Sequence, residues 1–188
     1  MTQEKEKEMD EAGLDGTSNF PQLFAQRARE VFRSEANRER VGELAYNYSK
    51  RFDGCSQSMM QALMDVLGLR DDFWFRAIGG LQGGGGCGLT CGALSTGFML
   101  ISAIGGRERI EDGFQAILPM IEPCHRLAGW FKLQYKSMTC SEISGYDWFD
   151  ILDVVRQHHT PKGMERHENC ARLTAGTAHK VAEILSEM

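Results

Sequence analysis

The stretch GGLQGGGGCGLTCGAL (Gly79–Leu94), which runs on as STGFMLISAI to Ile104, decides how the chain folds. Four consecutive glycines lead into Cys87 and then Cys91, and the residues after Cys91 are apolar on nearly all sides. A helix that is apolar all round belongs in the interior, so Cys91–Ile104 reads as a central buried helix. Its apolar part, Ala93–Ile104, holds two Ser and a Thr and is too short to span a bilayer.

Helical periodicity extends outward from this centre in both directions. Upstream, SNFPQLFAQRAREVF has Asn19 as an N-cap and Pro21 in the first turn, with Leu23, Phe24, Ala28, Val31 and Phe32 recurring behind them. RVGELAYNYSKRF continues to Phe52, and Asp53-Gly54 ends it. CSQSMMQALMDVLGL forms the next helix, with Cys55, Met59, Ala62, Leu63, Val66 and Leu67 on one face and Gly68 as the stop. DDFWFRAIGGL is a short helix with acidic residues at its positive end.

Downstream, the long helical pattern from Arg109 to Met138 contains Pro119 and Pro123, which predict a kink or break. TCSEISGYDWFD reads as a turn with aromatic residues. ILDVVRQHHTPKG reads as a short helix ended by Thr160-Pro161, and ENCARLTAGTAHKVAEILSEM as the last helix. No run alternates at period two for long enough to be a strand. The expected fold is all-α: a single-domain bundle of about six to eight helices over residues 20–188, with residues 1–19 as a charged, mobile tail.

Bulk properties exclude several function classes. With 188 residues and 42% hydrophobic content the chain can bury one good-sized core. A net charge of −5 argues against nucleic acid. The charged start has no apolar segment of a secretory signal, so a cytoplasmic protein without a membrane span is expected. A homodimer is compatible with an apolar helical chain of this size. Six cysteines without an export signal point to free thiols, metal ligands or redox thiols rather than a disulfide framework.

The sulfur chemistry follows from position. Cys91 and Cys55 each begin a helix, where N–H groups and the helix dipole stabilise a thiolate. The glycines, Gly84, Gly85, Gly86, Gly88 and Gly92 among them, allow a tight turn that frees backbone N–H groups to face sulfur or an anion. Gly83, Gly85 and Gly88 match GxGxxG, but no strand precedes them, so a nucleotide site is not expected. There is no P-loop Gly-Lys-Ser/Thr. Cys87 and Cys91 have zinc-ligand spacing without a second pair, ferredoxin spacings are absent, and no Cys-x-x-Cys-His offers covalent haem attachment. A metal centre assembled from distant helices would draw on Cys55, Cys87, Cys91, Cys140 and Cys170. His125, His158, His159 and His167 read as solvated or capping, and Trp130, Phe131, Tyr135, Tyr146, Trp148 and Phe149 as core.

Cys55 in GCSQSMMQAL, Cys91 in GGGGCGLTCGAL, Cys140 in WFKLQYKSMTCSEISG and Cys170 in ENCARLTAGTAHKVAEIL occur in the order of a known pattern. From about Tyr46 to the C-terminus the chain resembles the family of redox-active proteins named for its spaced cysteines, C_GCAxxG_C_C. The resemblance implies a helical fold, the family cysteines at Cys55, Cys91, Cys140 and Cys170, and a redox role. A similar domain occurs in the split-Soret cytochromes, where an iron–sulfur centre accompanies haem. The chain departs from the family at Thr96, where a glycine is expected, and in a longer Gly145–Glu168 link. Cys87 and Cys124 are additional to the four.

Three functional readings remain open at this point. The cysteines hold an iron–sulfur cluster or another metal for electron transfer. Alternatively, they form a thiol/disulfide couple or sensor, with Cys87 as a resolving thiol for Cys91. In the third, the chain is a helical binding or assembly protein with inert cysteines. The sequence identifies neither the redox partner protein nor a substrate.

Overall fold

The computed structural model describes residues 20–188. The expected tail and the Asn19 cap lie outside the described residues. The fold is all-α, as the periodicity predicts. Among the described residues there are seven helices of eight or more residues and two short ones. They are α1 (Phe20–Val31), α2 (Glu35–Phe52), α3 (Cys55–Leu67), the short α4 (Asp72–Ala77), α5 (Gly92–Gly105), α6 (Leu118–Tyr135), the short α7 (Cys140–Ser144), α8 (Ile151–His158) and α9 (Pro161–Glu187).

The core forms where the apolar stripes of α1, α2, α3, α5, α6 and α9 meet. Phe20, Phe24 and Ala28, with Phe32 just past the helix, recur every four residues and place the buried face of α1 against it, while Leu23 lies outside. From α3 come Met59, Met60, Leu63, Met64 and Leu67, from α6 Leu127 and Phe131, and from α9 Val181, Ile184 and Leu185. Each large side chain so buried contributes roughly 1.5–3 kcal/mol. Polar ties join α2 to α9: Tyr46 donates to Glu168 at 2.9 Å and Lys50 reaches the same carboxylate at 3.0 Å, while Arg172, on α9 itself, holds it at 2.7 Å.

Helix α5 is central, as its composition predicts. Seven of its residues are buried, Ala93, Leu94, Leu100 and Ile101 among them. Thr96, which stands where the resemblance leads one to expect glycine, is fully buried and returns its hydroxyl to the Gly92 carbonyl at 2.7 Å. The close crossing moves one residue on, to Gly97, where a Cβ would lie 2.5 Å from Leu127 and 2.8 Å from Val181.

Three local expectations are corrected. The pattern from Arg109 is not one helix: residues 110–112 and 115–117 are single 3₁₀ turns, and α6 starts at Leu118. Pro119 sits in its first turn, where a missing N–H is harmless, and Pro123 is carried inside without ending the helix. Thr160-Pro161 does stop α8, but it also starts α9, with the Thr160 hydroxyl accepting from Gly163 N–H at 3.0 Å. The turn at Thr139 holds the five-residue α7, so Cys140 also opens a helix.

A four-cysteine cavity

Four cysteines from four helices reach one cavity of about 480 Å³. Cys55 is the first residue of α3, Cys91 caps α5, Cys140 is the first residue of α7, and Cys170 lies within α9. All four are free thiols. Cys91 and Cys140 are buried, whereas Cys55 and Cys170 are half-buried.

Short backbone contacts set their register. An isolated antiparallel bridge joins Thr90 to Thr139, the residues directly ahead of Cys91 and Cys140. Cys91 N–H donates to Met138 O at 2.8 Å and Cys140 N–H to Leu89 O at 2.6 Å. Cysteines far apart in sequence are thereby fixed side by side. Gly92 brings α3 in from the other side, since a Cβ there would fall 2.7 Å from Cys55 Sγ and 2.6 Å from Leu81 O.

The glycine run does its work by turning. Gly83 to Gly86 and Gly88 all have φ between 61° and 73°, in the left-handed region open to glycine. Gly84 packs on Leu89 backbone and Gly88 on Ser141 and Trp148, while Gly85 and Gly86 face solvent. None of Gly84, Gly85, Gly86 and Gly88 lines the cavity. The N–H that reaches sulfur from this loop is that of Gly83, which donates to Cys55 together with the N–H groups of Ala93 and Ser56.

These donors make the four thiols unequal. The Cys91 thiol hydrogen-bonds Cys55 and, with the three backbone N–H groups, draws its pKa from 9.0 down to about 7 against the opposing effect of burial. Cys91 pays the reciprocal cost and rises well above 9.0, through that same hydrogen bond and then through burial. Burial, and then the charge on Cys55, raise Cys140 to about 11 and Cys170 to about 12. Since the thiolate is the nucleophile, Cys55 is expected to alkylate first with iodoacetamide in the metal-free, reduced protein. Its rate should rise through a midpoint near pH 7, with Cys140 and Cys170 silent there. Peptide mapping across pH 5–10 checks this (a pH window chosen to bracket the usual thiol range of about 8.5). Equal labelling of all four would contradict the ordering.

Cys87 and Cys124 lie off the cavity wall. Cys87 is in the glycine turn, and Cys124 is on α6.

The Gly145–Glu168 link forms much of the remaining wall. Tyr146 and Trp148 face the cavity from the loop, Val154, Val155 and His158 from α8, and His159 from its end. The aromatic group is therefore divided: Phe131 is core, Trp148 is at the site, and Phe149 is 80% exposed. His158 and His167 were set aside on sequence grounds, yet both line the cavity together with Asp53. The one sequence signal for them was the Asp53-Gly54 stop directly before Cys55.

Among the described residues no helix is long and apolar enough to cross a membrane. Neither the curated proteins nor the solved structures contain a match to the chain. A family model described as "Putative redox-active protein (C_GCAxxG_C_C)" matches residues 54–184, the span that supplies every helix around the cavity except α2. The chain belongs to this C_GCAxxG_C_C family.

Proposed function

We propose that the protein is an electron-transfer protein whose Cys55, Cys91, Cys140 and Cys170 together hold an iron–sulfur cluster. The observation that carries this reading is the convergence of four thiols from four helices on one cavity. A disulfide needs only two. Soft thiolates select iron–sulfur clusters, zinc and copper(I) over hard cations.

The spacing favours a cluster over a single closed zinc ion. Zn–S bonds of about 2.3 Å put tetrahedral sulfurs about 3.8 Å apart. Among the described residues no three cysteine sulfurs lie within 4.8 Å of one another. A 4Fe–4S cluster carries its four thiolates on separate irons and spreads them farther than a single ion does. A bound cluster supplies one-electron chemistry. The chain's own part is to present four sulfurs, to donate N–H groups from Gly83, Ala93 and Ser56 at Cys55, and to screen the centre with Tyr146 and Trp148. Hydrogen bonds to sulfur and exclusion of water are the means by which a protein sets a cluster's potential.

The test is anaerobic purification or reconstitution with iron and sulfide, followed by iron and sulfide analysis and an absorption spectrum. Expected is a coloured protein with sulfur-to-iron absorption that bleaches on reduction. A colourless chain that takes up no iron contradicts the reading.

A second reading is favoured by one contact, the hydrogen bond from Cys91 to Cys55. In it the Cys55 thiolate attacks a disulfide of a partner protein and releases one partner thiol. Cys91 then attacks the mixed disulfide. The two thiols lose two electrons and two protons as the partner disulfide becomes two thiols. Equilibration in thiol–disulfide buffers between about −300 and −150 mV tests it. Loss of two free thiols in that window supports it, and an unchanged thiol count refutes it.

A further inference from the structure

We propose that Asp53, His158 and His167 form a separate divalent-cation site at the rim of the cavity. Two imidazoles and one carboxylate come together there from three elements. Asp53 follows the last residue of α2, His158 is the last residue of α8, and His167 lies in the second turn of α9. Asp53 Oδ1 is 2.9 Å from His167 Nε2 and 3.6 Å from His158 Nε2. The three ligand atoms all lie within 4.8 Å of one another, the one such group of three or more His, Cys, Asp or Glu among the described residues.

The distances suit a metal. Bonds of about 2.0–2.2 Å to imidazole nitrogen and carboxylate oxygen place tetrahedral donors about 3.4 Å apart. The two separations bracket that value, so small side-chain shifts would bring all three donors onto one ion. The backbone helps as well. The Ser49 carbonyl, among the last of α2, lies 2.9 Å from His167 Nε2. Ser49 O also accepts from Asp53 N–H at 3.1 Å, and the dipole at the C-terminus of α2 favours positive charge. Both α2 and α8 end at this point. A cation on His167 Nε2 takes the place of the hydrogen bond to Ser49 O, and the neutral ring then carries its proton on Nδ1.

The position allows loading and leaves room for a further ligand. Asp53 keeps 60% of its side chain exposed, His158 32% and His167 18%, so a cation arrives from solvent without opening the fold. All three residues line the cavity that Cys55 lines. Two histidines and a carboxylate leave coordination positions open, the arrangement found around non-haem Fe(II) and catalytic zinc. The ligand class is therefore a divalent borderline cation, such as Fe²⁺, Zn²⁺ or Co²⁺, with its open positions available to water or a small anionic ligand. The donors are nitrogen and oxygen, so this site is independent of what the cysteines hold.

The experiment is an anaerobic titration of Co²⁺ into the reduced, cluster-free full chain, followed by absorption and by equilibrium dialysis. Expected is a Co²⁺ bound with the visible ligand-field bands of nitrogen and oxygen donors, distinct from any sulfur charge transfer of Co²⁺ held by the four thiols. Its affinity should fall at least about ten-fold in both His158→Ala and His167→Ala, the lower end of what disturbing a metal's surroundings costs. Far-UV circular dichroism establishes that each variant is folded. Should His167→Ala unfold, the more exposed His158→Ala still decides the matter. Undiminished binding in His158→Ala overturns the proposal. So does Co²⁺ bound only with sulfur charge transfer that survives both histidine changes, a result that would leave the cysteine reading intact.

Discussion

With the proposed cluster loaded, Cys140→Ser and Cys170→Ser are each expected to lose most of the iron, weakening retention at least about 100-fold, the upper end of what losing a supporting group costs and a minimum for losing a ligand. The effect is large because the four sulfurs come from separate helices and none has a spare neighbour. Cys140 is pinned by the Thr90–Thr139 bridge and the bond from its own N–H to Leu89 O. Cys170 is carried on α9, the longest helix, which is locked to α2 through Glu168. Serine has nearly the same size but offers a hard hydroxyl in place of a soft thiolate. Cys87→Ser and Cys124→Ser should keep wild-type iron, because neither residue lines the cavity. Iron and sulfide assays per chain check both halves. Loss of iron in Cys87→Ser equal to that in Cys140→Ser would mean that the glycine turn, and not α7, supplies a ligand.

Gly92→Ala is expected to destabilise the fold by about 3 kcal/mol, the upper part of the range for forcing extra volume into a packed interior. The added Cβ would lie 2.6 Å from Leu81 O and 2.7 Å from Cys55 Sγ. A backbone carbonyl cannot swing aside as the end of a flexible side chain can. The start of α5 must therefore shift away from α3, and that shift parts Cys91 and Ala93 from Cys55. With the Cys91 hydrogen bond lost, the Cys55 thiol should climb from about 7 back toward 9.0. Urea unfolding and the pH profile of Cys55 alkylation read the two effects separately. Gly129→Ala is the matched control. Nothing lies within 4 Å of a Cβ there, and the position is inside α6, so alanine should be neutral or stabilise by up to about 1 kcal/mol. Equal stability of Gly92→Ala and wild type, with Cys55 still near 7, would contradict the packing described.

Much of this was legible in the sequence because helix signals are local. Asp53-Gly54, Gly68 and the all-apolar run after Cys91 each mark a boundary or an interior helix by their own chemistry, and the structure puts boundaries where they point. The dual role of Thr160-Pro161 was harder, since the same pair that stops one helix suits the N-cap and first position of the next. Cys140 looked like a turn residue because α7 is a single five-residue turn of helix, too short to leave a periodic trace. Gly83 could not be told from the glycines beside it. The feature that selects it is the direction of its N–H toward Cys55, which is set by tertiary packing. The meeting of His158 and His167 with Asp53 was hidden for the same reason. His158 and His167 are ordinary solvated residues on their own helices, and only the meeting of three helix ends brings Asp53 to them. Cys87 was attractive because of its closeness to Cys91 in sequence, whereas the left-handed glycines turn it off the cavity.

The most direct measurement of the four-cysteine centre is iron K-edge X-ray absorption on the anaerobically loaded protein after gel filtration. Four converging thiols predict a first shell dominated by sulfur, and they predict that Cys170→Ser loses that sulfur signal together with its iron. A first shell of nitrogen and oxygen, unchanged in Cys170→Ser, would contradict the assignment of Cys55, Cys91, Cys140 and Cys170 as the iron-holding set.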